Sequence, residues 1–131
     1  MVERSVRLSR QVRHPDQLLD EAPQLARLRA MGVAVQGVAV RDTPQAVAAF
    51  LRRNGDGYDA IGGDRESRVQ LAIGSSGVPE TFVIDSRGVI VLQHVGDVRA
   101  DDVDALAAAV RADERPQVAR AITLVESVAR R

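Results

Sequence analysis

Gly77-Val78-Pro79-Glu80-Thr81-Phe82-Val83-Ile84-Asp85-Ser86-Arg87-Gly88 is the stretch on which the fold turns. The run from Val78 to Asp85 carries Thr81, Phe82, Val83 and Ile84, β-branched and aromatic side chains that favour a pleated, half-buried surface. Ser86-Arg87-Gly88 makes a tight turn, and Val89 to Val95 returns as a partner strand, giving a β-hairpin.

Upstream, Val33, Val35, Val38 and Val40 form a nearly continuous apolar run, the mark of a strand covered on both faces. Before it, Asp16 is a candidate N-cap with Asp20 and Glu21 in the first turns, and Leu18, Leu25, Leu28 and Met31 form a helical stripe that Gly32 stops. Pro23 lies inside this helix and should kink it. Thr43-Pro44 opens a second helix with Val47, Phe50 and Leu51 inward, closed by Asn54-Gly55. Residues 55–64 read as a Gly- and Asp-rich loop, and Ser67 to Ile73 as a short helix. After the hairpin, Asp101-Asp102 starts a helix carrying Val103, Leu106 and Val110, and beyond Pro116 a final amphipathic helix presents Val118, Ile122, Val125 and Ala129. The order predicts an α/β fold, a mixed sheet with helices on both faces. Three regions follow: 1–15 is an atypical arm or a degenerate first strand, with Arg4, Arg7, Arg10 and Arg13 at every third position; 16–115 is the domain; 116–131 is the C-terminal helix.

Composition bounds the chemistry. The 131 residues are 45% hydrophobic and only 2% aromatic, with 18 acidic and 18 basic side chains. Every basic residue is arginine, so a Lys general base or Schiff base is excluded. Zero cysteines remove thiolate metal sites, Cys nucleophiles and dithiol exchange together. His14 and His94 are far apart, so neither a metal site nor a cofactor is expected. Neutral net charge gives no reason to expect a nucleic acid, and no apolar run is long enough for a membrane span or an export signal.

The quoted stretch resembles the G-x-P-E-T-F-(L/V)-I-D-x-x-G segment of thioredoxin-like proteins, and above all the DsbE or CcmG family of cytochrome c biogenesis. The likeness continues through His94-Val95-Gly96-Asp97, Glu21-Ala22-Pro23-Gln24-Leu25 and Gly32 to Val38, so it covers about residues 18–112. It implies a thioredoxin-like fold, a thiol:disulfide oxidoreductase activity, a periplasmic setting, and an extended peptide, apocytochrome or redox protein as partner. It also implies a cis Pro79, with Val78, Pro79 and Glu80 as the substrate-binding residues. A cis X-Pro bond turns the chain at a strand start and leaves the preceding N–H and C=O free to pair with a ligand. Glu80 has no thiol to deprotonate and is expected to be a solvated strand-end glutamate, His94 a half-exposed structural histidine, and Tyr58 and Asp64 structural.

The family's W-C-x-x-C-R-x-E-x-P-x-L motif, counted back from Glu21, puts its cysteines at Pro15 and Leu18 and its tryptophan at His14. A redox dithiol needs a low-pKa thiolate at a helix N-terminus and a second thiol beside it. The chain as written is therefore expected to be redox-inactive. In that fold the strand before the cysteines lies between the Val33–Val40 and Val78–Asp85 strands, where Arg7 and Arg10 would sit in a buried centre. The first, central strand is thus expected to be degenerate or missing, and the first 17 or so residues to be unrelated to the family. Three functions stand open: a redox-inactive relative, a truncated or corrupted copy of an active reductase, or a peptide-binding or scaffold module that uses its last helix on a partner or as a dimer.

Overall fold

The structure, a computed structural model, describes residues 7–8, 21–54, 57–75 and 77–125. Among the described residues, six strands and four α-helices run in the order β1 (Arg7–Leu8), α1 (Glu21–Ala30), β2 (Ala34–Val40), α2 (Pro44–Asn54), β3 (Ala60–Asp64), α3 (Arg68–Ile73), β4 (Glu80–Ile84), β5 (Ile90–Val95), α4 (Val103–Arg111), β6 (Arg120–Val125). They form one mixed sheet in the spatial order β1-β5-β4-β6-β2-β3. The α/β reading is right, and the hairpin β4–β5 closes through the Asp85 carboxylate, whose Oδ1 accepts from the N–H of Arg87 and Val89 at 2.9 Å.

The centre of the sheet is neither missing nor built from the N-terminus. It is β6, parallel to β2 on one side and antiparallel to β4 on the other. The expected C-terminal helix over 116–131 is therefore corrected: residues 120–125 are a strand. The reason is packing from both sides. Ala121, Thr123, Leu124 and Val125 are buried, with Ala121 and Leu124 in opposite apolar clusters. An alternating run of small and β-branched residues fills a slot that two flanking strands already define, and tertiary pairing overrides the weak helical period. Of residues 5–13, only Arg7 and Leu8 are described as strand, and they pair with β5 at the sheet's outer edge.

Two further expectations change. Pro23 is the third residue of α1, in the first turn where its missing N–H has no intrahelical acceptor, so it fits there without breaking the helix. Residues 60–64, expected as loop, form β3 by pairing in parallel with all of β2 from Gln36 to Val40. Asp16, the expected N-cap, lies outside the described residues.

One face of the sheet packs Val35, Val83, Leu92 and Ala121 against Leu25 and Leu28 of α1 and Val103, Leu106 and Val110 of α4. The other face buries Val40, Phe82, Ile84, Ile90 and Leu124, with Ile73 of α3 and Val78 against them. Gly37 in β2 is where the ring of Tyr58 crosses: a Cβ there would lie 2.8 Å from Tyr58 Cδ1 and 3.0 Å from Ile61 Cγ1. Gly37→Ala should cost about 1–3 kcal/mol through overpacking and lower the Tm by several degrees in a thermal melt.

Candidate functional site at the entrance to the fourth strand

The Val78–Pro79 peptide bond is cis, and it delivers the chain into β4. Pro79 is buried and its carbonyl accepts from Gly96 N–H at 3.0 Å, tying the entrance to the end of β5. Val78 is half-buried, and among the described residues no hydrogen bond uses its main chain. β6 ends here too, because Glu80 pairs with Leu124.

Glu80 is fully buried, not solvated as the sequence suggested. Its position on β4 points it to the face that also carries Phe82 and Gln93, and there Gln93 Nε2 donates to its Oε2. Ser75 Oγ lies 2.7 Å from Glu80 Oε1 and 2.7 Å from the Gly77 carbonyl, with one proton to give between them. A buried carboxylate is tolerable only with such partners, since its desolvation is otherwise costly. The Ser75–Glu80–Gln93 chain thus fixes the loop that presents Val78.

On the opposite face, Thr81 and Thr123 face each other with their hydroxyls 2.9 Å apart, joining β4 to β6. Both are fully buried. Thr81→Val or Thr123→Val should each cost about 1–3 kcal/mol by leaving one buried hydroxyl alone, and the double valine variant should recover most of the loss. Denaturant titrations of the four proteins of the cycle check this.

A second polar group lies between the end of β5 and the start of α1. His94 is buried, not half-exposed; its Nε2 is 2.9 Å from the Asp97 carbonyl oxygen and 3.4 Å from Asp102 Oδ2. Two acceptors facing one nitrogen assign it the proton. Glu21, at the first residue of α1, accepts from Val98 N–H at 2.8 Å through its Oε2. Burial pushes the Glu21 carboxyl up to about 8; the Val98 hydrogen bond opposes the rise and the nearby Asp97 charge adds to it. The sequence offered Glu21 as a helix-dipole acid and as the first residue of the E-x-P-x-L likeness, and that E-x-P setting was the available signal for its buried role. Beside it, Pro23, Gln24 and residues 97–101 line a cleft of about 460 Å³.

The remaining candidates divide cleanly. Tyr58 is a core residue, and Asp64 is buried with its carboxylate accepting from Val69 and Gln70 N–H at 3.0 and 2.9 Å, capping α3. Pro15 and Leu18, the positions aligned with the family's cysteines, and His14 lie outside the described residues. Val78, Pro79 and Glu80 are consecutive at one entrance, whereas His94 and Glu21 belong to the opposite face. Among the described residues, no cluster of three His, Asp or Glu side chains is placed to hold a metal ion, and no helix is long and apolar enough to cross a membrane.

No protein-family model matches the chain. It is 37% identical over 81 residues to the thiol:disulfide interchange protein HelX of Rhodobacter capsulatus, covering 62% of this chain and 46% of that protein. It is 37% identical over 82 residues to a DsbE homolog of Paracoccus denitrificans, covering 63% and 45%. It is 35% identical over 78 residues to the thiol:disulfide interchange protein DsbE of Escherichia coli K12, covering 60% and 42%. The chain spans less than half the length of these curated relatives. Over about three fifths of its residues it is similar to DsbE-type thiol:disulfide interchange proteins, and it contains no cysteine.

Proposed function

We propose that this chain is a non-exchanging relative of DsbE, a periplasmic thioredoxin-like module that holds an extended peptide at Val78-Pro79-Glu80 without thiol chemistry. The peptide is of the apocytochrome type, as the resemblance to cytochrome c biogenesis proteins implies. One observation carries the reading. The Val78 N–H and C=O take part in no hydrogen bond among the described residues, while Pro79 and Glu80 on either side of the strand start are engaged. An extended ligand gains affinity by pairing with such unused main-chain groups. Neither a mixed disulfide nor a sulfenic acid can form on a chain without sulfur nucleophiles, so the ligand's own disulfide passes through unchanged.

The test is a calorimetric titration with a synthetic peptide containing an oxidised Cys-x-x-Cys-His segment, and with the same peptide N-methylated along its backbone. The parent peptide should bind with its disulfide intact, and the methylated one about tenfold more weakly, the scale of one lost hydrogen bond. Absence of binding, or reduction of the peptide, would overturn the reading. The coverage of under half of each relative favours a second reading, in which these residues are part of a longer, cysteine-bearing reductase. Mass spectrometry of the natural protein for a Cys-x-x-Cys segment decides between them.

A further inference from the structure

We propose that the free edge of β3 is a self-association surface, at which a second copy of this chain pairs antiparallel about Gly62. β3 ends the sheet, and among the described residues no strand pairs with its outer side. Soluble proteins usually protect such an edge with lysine, proline, a bulge or a covering element. Ala60-Ile61-Gly62-Gly63-Asp64 has neither a basic residue nor a proline, and Ala60, Gly62 and Gly63 are exposed. A Cβ added at Gly62 or Gly63 would meet no atom within 4 Å, so the main chain is open from both faces. At the end of β3 the Asp64 carbonyl accepts inward from Arg41 N–H at 2.9 Å. Strand alternation then keeps Gly62 and Ala60 bonded to β2 and turns the N–H and C=O of Ile61 and Gly63 outward, which is the pattern a new strand needs.

The sequence around this edge is complementary to itself in one register. With Gly62 opposite Gly62 on a two-fold axis, Ile61 of each copy falls opposite Gly63 of the other, and a half-buried apolar side chain covers a residue that has none. One position beyond the strand on each side, Asp59 falls opposite Arg65. Both pairs place residues on the same face of the joined sheet, and the two-fold axis makes each contact twice. Asp59 already holds Arg29 at 3.0 Å, while Arg65 is exposed and has no ion pair among the described residues. The incoming Arg65 gives that carboxylate a second cation.

Sedimentation velocity on the full chain across a concentration series tests the proposal. A reversible dimer is expected. Arg65→Glu sets like charges against Asp59 twice and should raise the dimer dissociation constant about tenfold or more. Gly62→Lys places two ammonium groups on the axis and should give a folded monomer at every concentration, with circular dichroism reporting the fold. Because the chain has no cysteine, Gly62→Cys adds a single thiol, and a Cα separation near 4.5 Å in a non-hydrogen-bonded antiparallel pair lies within reach of a disulfide. That variant should crosslink under mild oxidation much faster than Ala105→Cys, placed on an exposed face of α4. A full chain that stays monomeric at millimolar concentration overturns the proposal. So does a dimer that Arg65→Glu and Gly62→Lys leave intact, or equal crosslinking at positions 62 and 105.

Discussion

Leu124→Asp abolishes cooperative folding, and Leu124→Met leaves it nearly intact. Leu124 is fully buried in β6, opposite Glu80 on β4 and Val38 on β2. Removing its side chain from the core forfeits about 1.5–3 kcal/mol of apolar burial, and a carboxylate in its place adds several more, beside the buried Glu80. The sum rivals the whole stability of a typical domain, about 5–15 kcal/mol. Methionine conserves the volume and should cost under about 1.5 kcal/mol. Truncation after residue 117 goes further. It strips the central strand and leaves β2 and β4 with bare, buried-type edges, so the product should aggregate. Far-ultraviolet circular dichroism with urea titration checks all three, Tyr58 serving as a single buried fluorophore. A cooperatively folded truncated chain would mean that β6 is not the centre of the sheet.

The second large effect is a pH dependence that runs opposite to that of a salt-bridged acid. The Glu21 carboxyl stands at about 8 in the folded protein against 4.5 for the free group, with burial as the main cause. Between those values the folded chain holds a proton that the unfolded chain has released. Stability therefore falls as pH rises: the contribution is full below pH 4.5, declines by at most about 1.4 kcal/mol per unit, and is gone above pH 8. The ceiling over the window is about 5 kcal/mol. Glu21→Gln keeps an oxygen for the Val98 N–H and cannot ionise, so the difference between variant and parent isolates this one group. The variant should be the more stable protein at pH 8.5 by several kcal/mol, and the gap should close towards pH 5. Urea unfolding at four or five pH values measures it; parallel curves would assign the pH slope to other groups.

The hairpin, β2 and the helices α2 to α4 were legible because their apolar residues recur at a single clear period and their ends carry turn or capping residues. Three features were not. Val118, Ile122, Val125 and Ala129 fit a helical stripe, but the same segment contains the compact run Ala121 to Val125, and a short apolar run does not by itself separate helix from strand. Only the slot between β2 and β4 decides it. β3, with two glycines in five residues, has no strand propensity of its own and exists because β2 offers an edge. Glu80 looked solvated because the carboxylate's partners, Gln93 and Ser75, come from β5 and the preceding loop, and no local pattern announces them. The candidate site was legible in a different way: Val78, Pro79 and Glu80 stood out through the motif that contains them, while the environment that makes Val78 available came only with the tertiary structure.

The central claim is that the scaffold binds an extended peptide at the start of β4 and does no thiol exchange. Nuclear magnetic resonance on the isotope-labelled chain, titrated with the oxidised Cys-x-x-Cys-His peptide while free thiol is assayed in the same tube, tests it most directly. The account predicts saturable shifts centred on the amides of Val78 and Glu80, with no thiol released. Shifts centred elsewhere, or thiol appearing in step with added protein, would contradict it.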